Sequence, residues 1–310
     1  MPDLSVQIGR VRLKNPVMTA SGTCGFGREY APYLDMSMLG GFTTKSVTLR
    51  PRKGNPPQRI VETPGGMLNA IGLANVGIDE FMKSKLPDCQ TLGPAVFVNV
   101  AGESIEDYVE VCRILDTADG LAGVELNVSC PNVKDGLTFG TDAVLLKELV
   151  AAVRPVVKRG VLLVKLSPNV TDICSTARAA IAGGADALSM INTFLGMKID
   201  IRTQRPVLAN MTGGVSGPAI KPMAVQMIHR VYRDVTRAAG VPIIGMGGVR
   251  CWQDAVEFML AGATAVAVGT ALFAHPDAPM GIVRGIEDYL IQRGLGSVNE
   301  IIGAVHEVRD

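Results

Sequence analysis

Residues 241–273 read VPIIGMGGVRCWQDAVEFMLAGATAVAVGTALF. Two short β-branched runs, VPIIGMGG (241–248) and TAVAVGTALF (264–273), flank CWQDAVEFMLAGA (251–263), whose apolar residues recur at helical spacing. Both runs are apolar on successive positions, which suits a parallel strand covered on both faces. The stretch is therefore a βαβ unit with parallel pairing. Six runs of the same kind precede it: PVMTASG (16–22), GFTTKSV (41–47), PAVFVNVAG (94–102), GVELNVSC (123–130), VLLVKLSP (161–168) and ALSMINTF (187–194). Helix patterns lie between them, as in SIEDYVEVCRILDTA (104–118), DAVLLKELVAAVRPVVK (142–158) and VTDICSTARAAIAGGA (170–185). Eight βα units in 310 residues predict an α/β fold, a closed (β/α)8 TIM barrel. The competing open doubly wound sheet would carry GxGxxG after its first strand, and the glycines of SGTCGFG (21–27) do not have that spacing.

The barrel fills the chain as one domain, 1–310, with no linker or low-complexity segment. Within residues 1–15, SVQI and VRLK flank Gly9 and Arg10 and predict a hairpin closing the barrel's lower end. Two connections, 49–76 and 195–219, are too long for simple βα turns. Both follow strand C-termini, where barrel enzymes build their sites, so they are candidate lids or subunit contacts.

Net charge is +1 with acids and bases interspersed, which gives no footprint for nucleic acid or an anionic membrane. No apolar run approaches the roughly 20 residues of a membrane span, and the start lacks a basic region followed by an apolar one. A soluble cytoplasmic protein with a small-molecule ligand is expected. The six cysteines, Cys24, Cys89, Cys112, Cys130, Cys174 and Cys251, form no CxxC pair and no metal-binding spacing, so neither disulfides nor a metal site is expected. A small buried apolar side chain is the default role for each.

The last two strands end in Gly247-Gly248 and Gly269-Thr270, where backbone N–H groups of a barrel commonly cradle a phosphate. Gly217 in TGGVSGPAI (212–220) is a third donor to the same anion. Amides and lysines accumulate at the other strand ends: Lys45, Asn99, Asn127, Lys165 and Asn192-Thr193. A buried lysine is costly unless an anion or acceptor meets it, and an isoalloxazine ring fits that demand. A Schiff-base Lys165 of an aldolase is the competing chemistry, with the cradle serving a sugar phosphate. Cys130 lies in NVSCPNVKDG (127–136) between two asparagines, with no histidine nearby in sequence. A thiol there can act as a general base, while Asn69, Asn127, Asn132 and Asn192 offer amides to a diamide-like ring. His229, His275 and His306 fall in a helix, beyond the last strand and in the tail, and none is well placed as a base.

Together these residues resemble the class 1 dihydroorotate dehydrogenases. The matching segments run in family order along the chain: ASGTCGFG, TTKSVT, GGMLNAIGLAN, NVSCPNVKDG, KLSPNVTDI, INTFLGMKIDI, GGVSGPAIKP, IGMGGV and AVGTALF. Cys130 and the short N-terminus look like class 1 rather than class 2, which has a serine base. SPNVTDI and NTFLGMKIDI look more like the NAD-linked 1B subtype than the fumarate-using 1A subtype.

The resemblance implies one FMN per chain, held by Ser21, Lys45, Ser46, Asn99, Asn127, Lys165, Ile191, Gly217, Gly247, Gly248, Gly269 and Thr270. It implies dihydroorotate held by Lys45, Asn69, Ala70, Ile71, Gly72, Leu73, Asn127, Asn132, Asn192 and Thr193, with Cys130 as the base and orotate as the product of this step in pyrimidine biosynthesis. The chain has no iron–sulfur spacing and no FAD fingerprint. The resemblance therefore also implies a partner subunit carrying FAD and a [2Fe-2S] cluster, around a homodimer of this chain within a heterotetramer. A fumarate-dependent enzyme and a flavin-free phosphate-binding isomerase or aldolase are the alternatives. A scaffold subunit without chemistry is disfavoured by the presence of Cys130, Lys45 and Lys165.

Overall fold

The computed structural model describes residues 1–129 and 139–306. Strands β1 (Val6–Ile8) and β2 (Val11–Leu13) form an antiparallel hairpin, followed by β3 (Val17–Thr19) and β4 (Gly41–Thr43). The first long connection contains β5 (Ile60–Thr63) and β6 (Gly66–Asn69). Next come β7 (Ala95–Val100), β8 (Gly123–Asn127), β9 (Val161–Lys165) and β10 (Ala187–Met190). The second long connection contains β11 (Phe194–Met197), β12 (Ile199–Asp200), β13 (Arg205–Pro206) and β14 (Thr212–Ser216). β15 (Ile243–Met246) and β16 (Ala265–Val268) are last.

β3, β4, β7, β8, β9, β10, β15 and β16 pair in parallel, each with the next, and β16 pairs with β3 to close an eight-stranded barrel. All eight runs read as strands from the sequence are its staves. Their residues are buried almost without exception, as expected of strands with side chains in the barrel on one face and helices on the other.

Helical segments cover the outside. α1 (Ile78–Glu80) and α2 (Leu86–Gln90) flank a π turn after β4, and α3 (Ile105–Leu115), α4 (Ala143–Val153) and α5 (Ile173–Ala182) follow the next three staves. α6 (Lys221–Val231) and α7 (Arg237–Ala239) precede β15. α8 (Trp252–Leu260) and α9 (Ala278–Arg293) complete the ring. The starts of α3, α4 and α5 are set by Ser104, Asp142 and Asp172, whose side chains accept backbone N–H groups of the first turn. Among the described residues no helix is long and apolar enough to cross a membrane.

The hairpin lies where the sequence puts it. Gly9 turns with φ +55°, and a Cβ there would come 2.8 Å from Val161 Cγ1, at the N-terminal end of β9. Ile8 and Leu13 are buried against the barrel's lower end.

The two long connections pair with each other. β11, β14, β6 and β5 form one four-stranded antiparallel sheet beside the barrel mouth, and β14 pairs with β6 through Gly214↔Asn69, Val215↔Leu68 and Ser216↔Met67. Leu68, Ala70 and Leu208 make a small core for it, apart from the barrel's own. Close backbone approach at this junction requires glycine: a Cβ on Gly66, whose φ is +152°, would stand 1.9 Å from the Ser216 carbonyl oxygen.

Candidate active site

Seven of the eight staves deliver their last residues to one cavity at the same rim. Ser21 follows β3, Lys45 and Ser46 follow β4, Asn127 ends β8 and Lys165 ends β9. Ile191, Asn192 and Thr193 follow β10, Gly247 and Gly248 follow β15, and Gly269 and Thr270 follow β16. With Asn69, Ile71, Leu73 and Gly217 from the accessory sheet and its loops, these residues line one cavity of about 720 Å³. That volume lies within the roughly 300–1,000 Å³ of small-molecule sites.

At one end the wall is backbone. Gly217, Gly247 and Gly248 have φ of +103°, +124° and +94°, which disfavours any side chain. A Cβ on Gly248 would lie 2.9 Å from the Gly217 carbonyl oxygen, so the loops after β14 and β15 are in contact. Thr270 Oγ1 donates to Ser216 Oγ at 2.8 Å and ties the loop after β16 to them. Such a concave backbone wall is suited to a phosphate.

At the other end the wall is polar and cationic. Lys165 is 6% exposed, and its Nζ donates to Ser21 Oγ at 3.0 Å. Lys45 is less buried; burial first, and then the neighbouring Arg59 cation, hold its ammonium below the usual lysine value, with Glu29 opposing. Asn192 Nδ2 donates to Asn127 Oδ1 at 3.2 Å and to Ser129 Oγ at 2.9 Å, and Asn192 Oδ1 accepts from the Thr193 N–H at 2.8 Å. The β8–β9 register sets Asn127 beside Lys165. Tyr108, reaching over from α3, donates its hydroxyl to the Asn127 carbonyl at 2.7 Å.

Three residues expected as ligands do not line the cavity. Asn99 is fully buried under its floor: Oδ1 accepts from Ser46 Oγ, and Nδ2 donates to Glu125 Oε1 at 2.7 Å. The strand runs one residue past Asn99, and the β7–β8 register sets Asn99 opposite Glu125. Asn99 therefore orients Ser46 from below. Ala70 and Gly72 shape the NAIGL turn from behind. Asn55 Nδ2 donates to the Ala70 carbonyl at 3.0 Å, and a Cβ on Gly72 would come within 2.6 Å of the Asn55 nitrogen. Cys130 and Asn132 lie outside the described residues.

The sequence reading missed Glu125, Asn55, Arg59 and Asn75. Asn75 pins the same turn, accepting from the Gly77 N–H at 2.8 Å and donating to the Leu73 carbonyl at 2.7 Å. An Asn two residues before a Gly is the signal for such an Asx turn. His275, set aside as a base, lines the cavity beside Thr270 and Phe273.

The family profile for dihydroorotate dehydrogenase matches residues 3–290. A protein of Geotalea daltonii is 54% identical over 305 residues, covering 98% of this chain and 98% of its own. Proteins of Geotalea uraniireducens and Bacteroides fragilis are 53% and 50% identical over 98% of this chain and 98% and 99% of theirs. All three are named "Dihydroorotate dehydrogenase B (NAD(+)), catalytic subunit". With a profile matched over nearly its whole length and relatives this similar end to end, the chain belongs to the dihydroorotate dehydrogenase family.

Proposed function

We propose that this chain oxidises dihydroorotate to orotate on bound FMN, as the catalytic subunit of an NAD-linked enzyme. What carries this function is the pairing, in one cavity, of a glycine backbone wall with two lysines and a set of amides. Those residues fit FMN: Gly217, Gly247, Gly248, Gly269 and Thr270 would hold its phosphate, and Ser21, Ser46, Asn127 and Lys165 would meet the ring. When bound, FMN supplies a two-electron acceptor.

The chain's own groups do the rest. Asn69, Asn127 and Asn192 would orient the substrate's amide edges, and Lys45 its carboxylate. Cys130 Sγ would take the proton from C5 of the substrate. The accessory sheet would shield that face from water. Electrons then leave through a partner carrying FAD and an iron–sulfur cluster, bound to a homodimer of this chain. That partner is supported by the words "catalytic subunit" in the relatives' name.

Anaerobic mixing of the purified chain with dihydroorotate tests the half-reaction. Bleaching of the visible flavin band is expected. A colourless chain that takes up no flavin would favour the isomerase or aldolase alternative, and turnover with fumarate but not with NAD and a partner would reassign the subtype.

The lowered Lys45 pKa gives a pH dependence with a definite sign. Its charge is fully present only below that lowered value, so affinity for orotate should fall as pH rises through a midpoint below 10.5. For folding the sign is opposite. The unfolded chain binds the extra proton between the two pKa values, so stability contributed by Lys45 rises with pH there. Titrating orotate across alkaline pH with wild type and Lys45→Met checks this; a profile unchanged by the substitution would remove Lys45 from anion binding.

A further inference from the structure

Behind the glycine wall lies an ionic contact whose acid and lysine do not themselves line the cavity, although Arg250, which does, also brings its guanidinium Nε to 3.5 Å from Asp254 Oδ2. Asp254, in the first turn of α8, is 3% exposed. Its Oδ2 accepts the backbone N–H of Arg250 at 2.9 Å, and its Oδ1 accepts Lys221 Nζ at 2.8 Å. Arg250 ends the loop that begins at Gly247, and Lys221 is the first residue of α6, reached from Gly217 through one short turn. The two loops also touch at Gly248, where a Cβ would meet Lys221 Cβ and the Gly217 carbonyl oxygen, each at 2.9 Å. Burial pushes the Asp254 carboxyl up, but Lys221 and the Arg250 N–H outweigh this and bring it below its usual value, so it is a carboxylate at neutral pH.

We propose that Asp254 and Lys221 are a positioning pair for the phosphate end of the bound cofactor, locking the Gly217 and Gly247–Arg250 loops at the separation that a phosphate monoester requires. The inference rests on the flavin reading above. Charge alone predicts the opposite effect for Asp254: its carboxylate and that of Glu257, which also accepts from Lys221 Nζ, should repel a phosphate, and removing one should tighten binding. A role limited to capping α8 would change stability without separating phosphorylated from unphosphorylated flavin.

Flavin-stripped full-length wild type, Asp254→Asn and Lys221→Gln are titrated with FMN and with riboflavin by fluorescence quenching. Both variants are expected to raise the FMN Kd about 10- to 100-fold while the riboflavin Kd moves less than about threefold. At saturating FMN the visible spectrum and the bleaching by dihydroorotate should match wild type. Lys221 is partly exposed, so Lys221→Gln carries the test if Asp254→Asn fails to fold. Unchanged or tighter FMN binding in the variants, a parallel loss of riboflavin, or an altered spectrum at saturation would each overturn the pairing alone. A wild-type chain that binds no FMN would overturn the flavin reading and the pairing with it.

Discussion

Cys130→Ala is expected to leave FMN bound and to slow flavin reduction by dihydroorotate by about two to four orders of magnitude, the usual worth of a positioned proton acceptor. The other cysteines are poor candidates for that role. Cys24, Cys89 and Cys112 are buried in the core, and burial pushes the thiols of Cys24 and Cys89 up to about 12, so neither ionises at neutral pH. Burial also raises the buried Cys174, and Cys251 stands at the start of α8, outside the cavity wall. The backbone leading toward position 130 is held at the cavity as far as Ser129 by Tyr108 and Asn192. A neutral thiol and its anion differ in basicity, so the wild-type rate should climb with pH as the thiol ionises, and the variant should lose that limb. Stopped-flow bleaching under anaerobic conditions measures both. A variant within about tenfold of wild type would move the base to another group, and His275 would be the first to replace.

The barrel and its rim are legible in the sequence for one reason: a parallel strand covered on both faces is mostly apolar, so the lysine or amide at its end stands out. Lys45, Asn127, Lys165 and Asn192 each stand at or just past the end of such a run, and each reaches the cavity. Asn99 shows the limit. It too sits near the end of a run, but its strand continues to Val100, and its amide is consumed by Ser46 and Glu125. Only the register between β7 and β8 makes that apparent.

The accessory sheet is not legible at all. Its strands are short and three of the four carry glycine, as in FLGM and TGGVS, and in β14 Gly213 and Gly214 sit against the Asn69 carbonyl oxygen and Thr193 Oγ1, which leaves no polar–apolar alternation. Its pairing partners are far apart in the chain, so no local pattern encodes it. Asp254 escapes notice because it acts on backbone and on Lys221 from behind the wall.

Lys165→Met should slow flavin reduction about 10²- to 10³-fold, the scale of losing one preorganised electrostatic contact in a water-poor site. The same change should leave the thermal stability of the flavin-free protein equal to or above that of wild type. Both halves follow from how the lysine is placed. It ends β9 almost out of solvent, it donates to the neutral Ser21 hydroxyl, and among the described residues it forms no ion pair. An ammonium so placed costs folding free energy, and an apolar side chain of similar length removes that cost. Its use must therefore lie in what enters the cavity, where low polarisability of the surroundings strengthens its attraction for negative charge developing opposite it. Lys45 is more exposed, its charge is opposed by Arg59, and it stands after β4 rather than at the end of β9, so it is not placed to substitute. Calorimetric melting of the flavin-free variant and its flavin-reduction rate decide the matter together. Wild-type reduction combined with a large fall in Tm would make Lys165 a structural residue of the barrel core, whereas slowed reduction with stability retained is the signature of a charge kept at the strand tip for chemistry.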